Sequence, residues 1–160
     1  MLFRSSLRND AAAIDLELGR ATDALRHFRA VTALQPRSAP AWYNEGVALE
    51  AAGQADAAAD RYRRAIALDP GHSAAHNNLA TILAAQGHID EAVAEYRRAV
   101  EADRANAEAH NNLGGFLLTF SLGEAVEHLE AALALRPDYP EAHFNLARAF
   151  TVEEIGRAHV

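Results

Sequence analysis

Residues 75–79 read Ala75-His76-Asn77-Asn78-Leu79, and the same five residues return 34 positions later as Ala109-His110-Asn111-Asn112-Leu113. Tyr-Arg-Arg-Ala recurs at the same distance, at Tyr62–Ala65 and Tyr96–Ala99, and Gly19, Gly53 and Gly87 keep the spacing, as do Pro36 and Pro70. A fixed period of this length marks an array of supersecondary units, none of which buries its apolar face alone.

Each period reads as two helices. Small residues recur in the second helix at Ala24, Ala58, Ala92 and Ala125, and again at Ala65, Ala99 and Ala132. A large residue stands between them: Phe28, Tyr62, Tyr96 and Leu129. Small side chains let helices approach, and the large one fills the remaining gap. The periodic glycines suit the left-handed position after a helix. Asp23, Asp56 and Asp90 stand where a carboxylate can cap free N–H groups at the start of a second helix. Asp69-Pro70 stops the helix before it, because a residue preceding proline avoids the α region. First helices are therefore expected near 6–18, 40–52, 74–86, 107–119 and 141–153, and second helices near 22–34, 56–68, 90–102 and 124–135.

With Trp42, Gly46, Leu49, Gly53, Ala58, Tyr62, Ala65 and Pro70 in register, residues 39–72 resemble the tetratricopeptide repeat consensus. The resemblance extends over 5–153, as repeats at about 5–38, 39–72, 73–106 and 107–139 and a partial one at 140–153. It implies an all-α, right-handed α-solenoid with one concave face. Four departures stand out: Arg104 replaces the terminal proline, Glu45 a leucine, and Asp15 an aromatic residue, and the fourth repeat is one residue short around Thr119–Gly123.

The 160 residues include 38 alanines, the best helix former, and all 15 basic residues are arginine, against 22 acidic ones, for a net charge of −7. That balance speaks against nucleic acid, whose affinity rests on cationic contacts to phosphate. With no cysteine, disulfides, thiolate metal sites and a cysteine nucleophile are excluded. No run approaches 18 apolar residues, so no membrane insertion is expected. The alanine- and arginine-rich composition fits a GC-rich, bacterial coding sequence, and a cytoplasmic location is expected. No catalytic motif appears, and neither enzymatic activity nor a cofactor is expected. His76, His110 and His143 share the position of Trp42 in successive first helices. Rungs about 8–10 Å apart are too far for one ion with bonds of about 2 Å, so these residues read as packing and no metal site is expected.

The asparagines carry the functional reading. Asn44, Asn78, Asn112 and Asn145 hold one position in four successive first helices. In the family that position faces the concave groove, and the series resembles the asparagine ladder of O-GlcNAc transferase-like tetratricopeptide arms, which hold extended peptides. An asparagine amide offers a donor and an acceptor, the complement of a peptide unit. Rungs about 8–10 Å apart match roughly three residues of extended chain at about 3.3 Å each. Tyr43, Asn77, Asn111 and Phe144 precede each rung, and Val47, Thr81, Gly115 and Arg148 follow one turn on. The expected partner is a protein or an extended peptide. Alternatives are asparagines that only bond their own helices, and an arm presenting substrate to the catalytic domain of a larger glycosyltransferase or sulfotransferase. A dicarboxylate clamp is disfavoured, because Arg148 is the one cation among these groove positions.

Residues 154–160 read Glu154-Ile155-Gly156-Arg157-Ala158-His159-Val160. This string is the translation of a common sequencing adapter up to its stop codon. It is expected to be foreign to the fold and to have replaced the fifth repeat's second helix. The apolar face of the preceding helix, with Phe144, Leu146, Ala147 and Phe150, would then be uncovered and prone to self-association.

Overall fold

The computed structural model describes residues 2–158, with side chains from Ser6 to Glu154. Among the described residues every regular element is a helix: α1 (Leu2–Glu17), α2 (Ala21–Leu34), α3 (Ala39–Ala51), α4 (Ala55–Leu68), α5 (Ser73–Ala85), α6 (Ile89–Ala102), α7 (Ala107–Leu117), α8 (Leu122–Leu135) and α9 (Pro140–Ala158). They match the spacing-based expectation within about two residues, except at the start of α1 and the end of α9. The side chains of 155–160, most of the stretch read as foreign, lie outside the described residues.

Helices pack most extensively as α1 with α2, α3 with α4, α5 with α6 and α7 with α8. Each second helix then packs on the next first helix, which generates an α-solenoid. The small-residue reading explains this stacking. Ala24, Ala58, Ala92, Ala125, Ala65, Ala99 and Ala132 are fully buried, and Phe28, Tyr62, Tyr96 and Leu129 lie between them in the core. Gly19, Gly53 and Gly87 adopt φ of +70, +73 and +80°, the region that favours glycine.

The departures from the consensus have local compensation. Arg104 stands in a turn built like that at Pro70: Asp69 and Asp103 are both extended, and their carboxylates accept from the Gly71 and Ala105 N–H groups at 3.1 and 2.9 Å. Proline is therefore dispensable where the Asx turn already ends the helix. Glu45 is buried yet bonded twice, accepting from Thr32 Oγ1 at 2.8 Å and Arg61 Nε at 2.7 Å. Asp15, also buried, pairs with Arg20 at 2.8 Å.

The helix starts differ from the sequence expectation. Asp23, Asp56 and Asp90 occupy the first turn of their helices, where they meet the positive end of the dipole, while the cap positions fall on Arg20, Gln54 and His88, whose side chains make no cap. Asp56 instead accepts from Gln86 Nε2 of the next repeat at 2.7 Å, and Asp23 pairs with Arg26 at 3.2 Å. Side-chain caps lie on first helices: Ser38, His72 and Asn106 accept from the N–H three residues on. The reason is position. The aspartates stand inside the helix, one residue past its first for Asp56 and Asp90 and two for Asp23, whereas a cap must precede it.

Candidate functional site

The first helices α3, α5, α7 and α9 carry every residue singled out for the groove. Asn44, Asn78, Asn112 and Asn145 are half-buried on them, Tyr43 likewise, Thr81 and Arg148 are exposed, and Phe144 is 66% exposed. Asn77 and Asn111 differ: they are 3% and 5% exposed, wedged between neighbouring first helices. One hollow of about 320 Å³ gathers Thr81, Asn111, Asn112, Asn145 and Arg148 with Gly115, Tyr96 and Phe116. Asn44, Asn77, Asn78, Tyr43 and Phe144 do not line it.

The asparagines are joined to one another. Arg148 Nη1 donates to Asn145 Oδ1 at 3.4 Å, and Asn145 Nδ2 donates to Asn111 Oδ1 at 3.0 Å. Asn111 Nδ2 donates to Asn112 Oδ1 at 3.2 Å, and Asn112 Nδ2 to Asn77 Oδ1 at 3.1 Å. Asn77 Nδ2 then donates to Asn78 Oδ1 at 3.4 Å, Asn78 Nδ2 to the Tyr62 hydroxyl at 3.1 Å, and that hydroxyl to the Glu50 carboxylate. The bonds cross from α9 to α7 to α5 to α4 and end on α3. An arginine can only donate and an ionised carboxylate can only accept, so the amides between them all point one way. Aligned hydrogen bonds polarise one another, which stiffens the series. Asn44 stands outside it.

Asn112 and Asn145 thus each spend one N–H and one oxygen lone pair on their neighbours and retain one of each, whereas Asn78 also bonds the Tyr43 hydroxyl. Beside the rungs, Thr81 Oγ1 bonds the Asn77 carbonyl at 3.1 Å and meets the Tyr96 hydroxyl at 3.0 Å. Tyr96, Phe116, Tyr62 and Glu50 were not among the sequence candidates. Their signal was faint: a hydroxyl appears at the gap-filling position only in the two middle pairs, where Phe28 and Leu129 stand in the outer ones. Burial raises the Tyr62 and Tyr96 pKa values, so both hydroxyls keep their protons.

His76 and His143 bond back to the turn that ends the preceding repeat. His76 Nδ1 meets Glu95 Oε2 at 2.5 Å and its Nε2 the Pro70 carbonyl at 3.0 Å, while His143 Nε2 meets the Pro137 carbonyl at 2.7 Å. Trp42 donates to the Pro36 carbonyl in the same way, at 3.0 Å.

Family profiles described as tetratricopeptide repeat match residues 9–73 and 49–114, and one described as TPR repeat matches 121–151. The chain belongs to the tetratricopeptide repeat family. Among solved structures, it is similar to MamA from Desulfovibrio magneticus RS-1, at 21% identity and a TM-score of 0.77 over 94% of this chain and 86% of that one. The first tetratricopeptide domain of Spaghetti (RPAP3), bound to the HSP90 peptide SRMEEVD, aligns at 23% identity and 0.68 over 73% and 94%. A mutant O-GlcNAc transferase from Thermobaculum terrenum aligns at 22% and 0.75, over 83% of this chain but 26% of the enzyme. The comparison with curated proteins finds no match. At these identities the likeness is one of fold.

Proposed function

We propose that this tetratricopeptide array is an interaction module that holds an extended peptide or protein segment along its first helices. The observation that carries the reading is the row of amides oriented by their neighbours, in which Asn112 and Asn145 each keep a donor and an acceptor for a ligand. A pre-oriented group loses little conformational freedom on binding. The retained groups complement backbone C=O and N–H, so the ladder is indifferent to ligand sequence, whereas Tyr43, Phe144 and Arg148 meet side chains. At about 0.5–1.5 kcal/mol per net hydrogen bond, a few rungs give modest affinity. That a related fold is seen with a bound peptide supports the reading.

Asn44→Ala tests it most cleanly, because Asn44 is outside the amide series. The variant is expected to melt with the parent. It should bind each of a set of unrelated extended peptides about two- to tenfold more weakly by calorimetry, corresponding to one net hydrogen bond. Unchanged affinity for every peptide that the parent binds would remove Asn44 from the ligand site.

A second reading, an arm that presents substrate to a catalytic domain, is favoured by the likeness to O-GlcNAc transferase. It requires the same groove.

The exposed apolar side chains of α9, Phe144, Phe150 and Val152, are expected to drive concentration-dependent self-association. Sedimentation velocity should show oligomers that Phe150→Glu reduces to monomer. A parent that stays monomeric at high concentration would contradict this.

A further inference from the structure

His110 on α7 and His128 on α8 meet across the fourth helical pair, Nδ1 to Nδ1 at 3.0 Å, with ring centroids 5.2 Å apart. One repeat earlier the same two positions hold His76 and Glu95, in contact at 2.5 Å. One architecture therefore carries two chemistries: imidazole on carboxylate in the third repeat, imidazole on imidazole in the fourth. We propose that the His110–His128 pair is an acid-released latch that regulates the C-terminal half of the groove. The regulatory consequence rests on the groove reading above, but the latch itself does not.

The proton inventory explains the release. The Arg104 carbonyl faces the His110 ring and favours its proton; with Nδ1 turned to His128, that proton sits on the second nitrogen and Nδ1 is left as an acceptor. His128 must then supply the single proton between the rings. A further proton on His128 Nε2 is tolerated, because the Glu124 carboxylate lies 4.0 Å away. A second further proton, on His110 Nδ1 once His128 is charged, sets two N–H groups head-on and places two cations in contact. The pair titrates as a unit.

The surroundings do not rescue it. Burial pulls the His110 and His128 pKa values down, and His110 pulls His128 down further. Glu124 and Glu127 on α8 oppose this shift and Arg97 on α6 adds to it. Glu101 of α6 and Arg104 of the following turn share a crevice with His110. Among the described residues no charge on α9 contributes to either shift.

With folded values below the ordinary 6.5, the unfolded chain binds more protons, and stability falls as pH drops below 6.5. The third repeat behaves in the opposite way. His76 is raised by its bond to Glu95. Burial pushes Glu95 up, but His76 and Arg98 outweigh it and leave Glu95 below its ordinary 4.5. That contact therefore stabilises from above pH 6.5 down to below 4.5. Mild acid loosens α7 against α8 and leaves α5 on α6. Since α7 carries Asn111 and Asn112 and borders Asn145, half of the amide series depends on the latch.

Hydrogen exchange of the intact chain at pH 7.5 and 5.5, corrected for intrinsic rates, tests this. Protection in α7 and α8 is expected to fall by up to about tenfold for each ring whose proton affinity is depressed, since pH 5.5 lies one unit below the ordinary 6.5, with α5 and α6 unchanged. His128→Glu rebuilds the His76–Glu95 arrangement and is expected to abolish the acid loss. Equal protection of α7 and α8 at both pH values in the parent, or a loss in His128→Glu as large as the parent's, would overturn the latch. NMR titration of the two rings gives an independent reading: ring midpoints below 6.5 support it, and midpoints at or above 6.5 overturn it. No peptide is present in either measurement, so a groove that binds nothing leaves the outcome intact.

Discussion

Gly46→Ala is expected to lower the stability of the array by about 3 kcal/mol, at the upper end of the range for overpacking a core, although alanine is the better helix former. A Cβ at Gly46 would lie 2.5 Å from Tyr62 Cε1 and 2.8 Å from its Cδ1. Tyr62 is fully buried, and its hydroxyl is tied to both Asn78 and Glu50. The ring therefore cannot swing away without breaking two bonds that anchor the amide series. The melting temperature should drop by about 6–12 °C, read by circular dichroism. In a Tyr62→Phe background the ring is released at its far end, and the same substitution should cost measurably less, the non-additivity expected of residues in contact. A melting temperature within about 2 °C of the parent would show that the ring has room. Gly114 poses the same problem with a less mobile neighbour, since its Cβ would stand 2.7 Å from Leu129 Cγ and 2.9 Å from the Ala125 carbonyl oxygen.

These close approaches show what was legible in the sequence. A helix contact that only glycine or alanine permits leaves a mark at a fixed offset in every repeat, so Ala24, Ala58, Ala92 and Ala125 announced the stacking without any structure. The four first-helix asparagines were legible for the same reason: a common register places them along one strip. The direction of their hydrogen bonds was not. It depends on which neighbour lies within about 3 Å, and on two ends, Arg148 and Glu50, that recur in no other repeat. Sequence placed Asn77 and Asn111 beside the rungs, whereas they act behind them as buried bridges. Asp23, Asp56 and Asp90 do not cap because a shift of two or three residues along a helix start, invisible to composition, changes which N–H a carboxylate can reach. His128 is not legible as a paired residue because its meaning lies in the contrast with Glu95, two positions linked only once the shortened fourth repeat is aligned.

The amide series makes a second large effect predictable. Asn112→Ala removes the donor to Asn77 Oδ1 and the acceptor of Asn111 Nδ2. Both stranded groups belong to buried residues, and an unsatisfied buried polar group costs about 1–3 kcal/mol. Asn77 keeps a contact through Nδ2 to Glu108, at 3.4 Å, and Asn111 keeps its oxygen bonded to Asn145. The expected loss is therefore about 2–3 kcal/mol, measured by urea unfolding. The same substitution removes a rung, so peptide affinity should fall as well. Asn44→Ala, in contrast, should lower affinity alone. Asn112→Asp separates polarity from volume. Its carboxylate can still accept from Asn111 but cannot donate to Asn77, and it sets two acceptors face to face. At neutral pH it should be at least as destabilising as alanine. Relative to the parent at each pH, it should recover as acid protonates the carboxyl and restores a donor. If Asn112→Asp matched the parent at neutral pH, the amides would not form a directed series. If Asn112→Ala cost nothing, the bonds between repeats would contribute nothing, and the asparagines would stand as independent rungs.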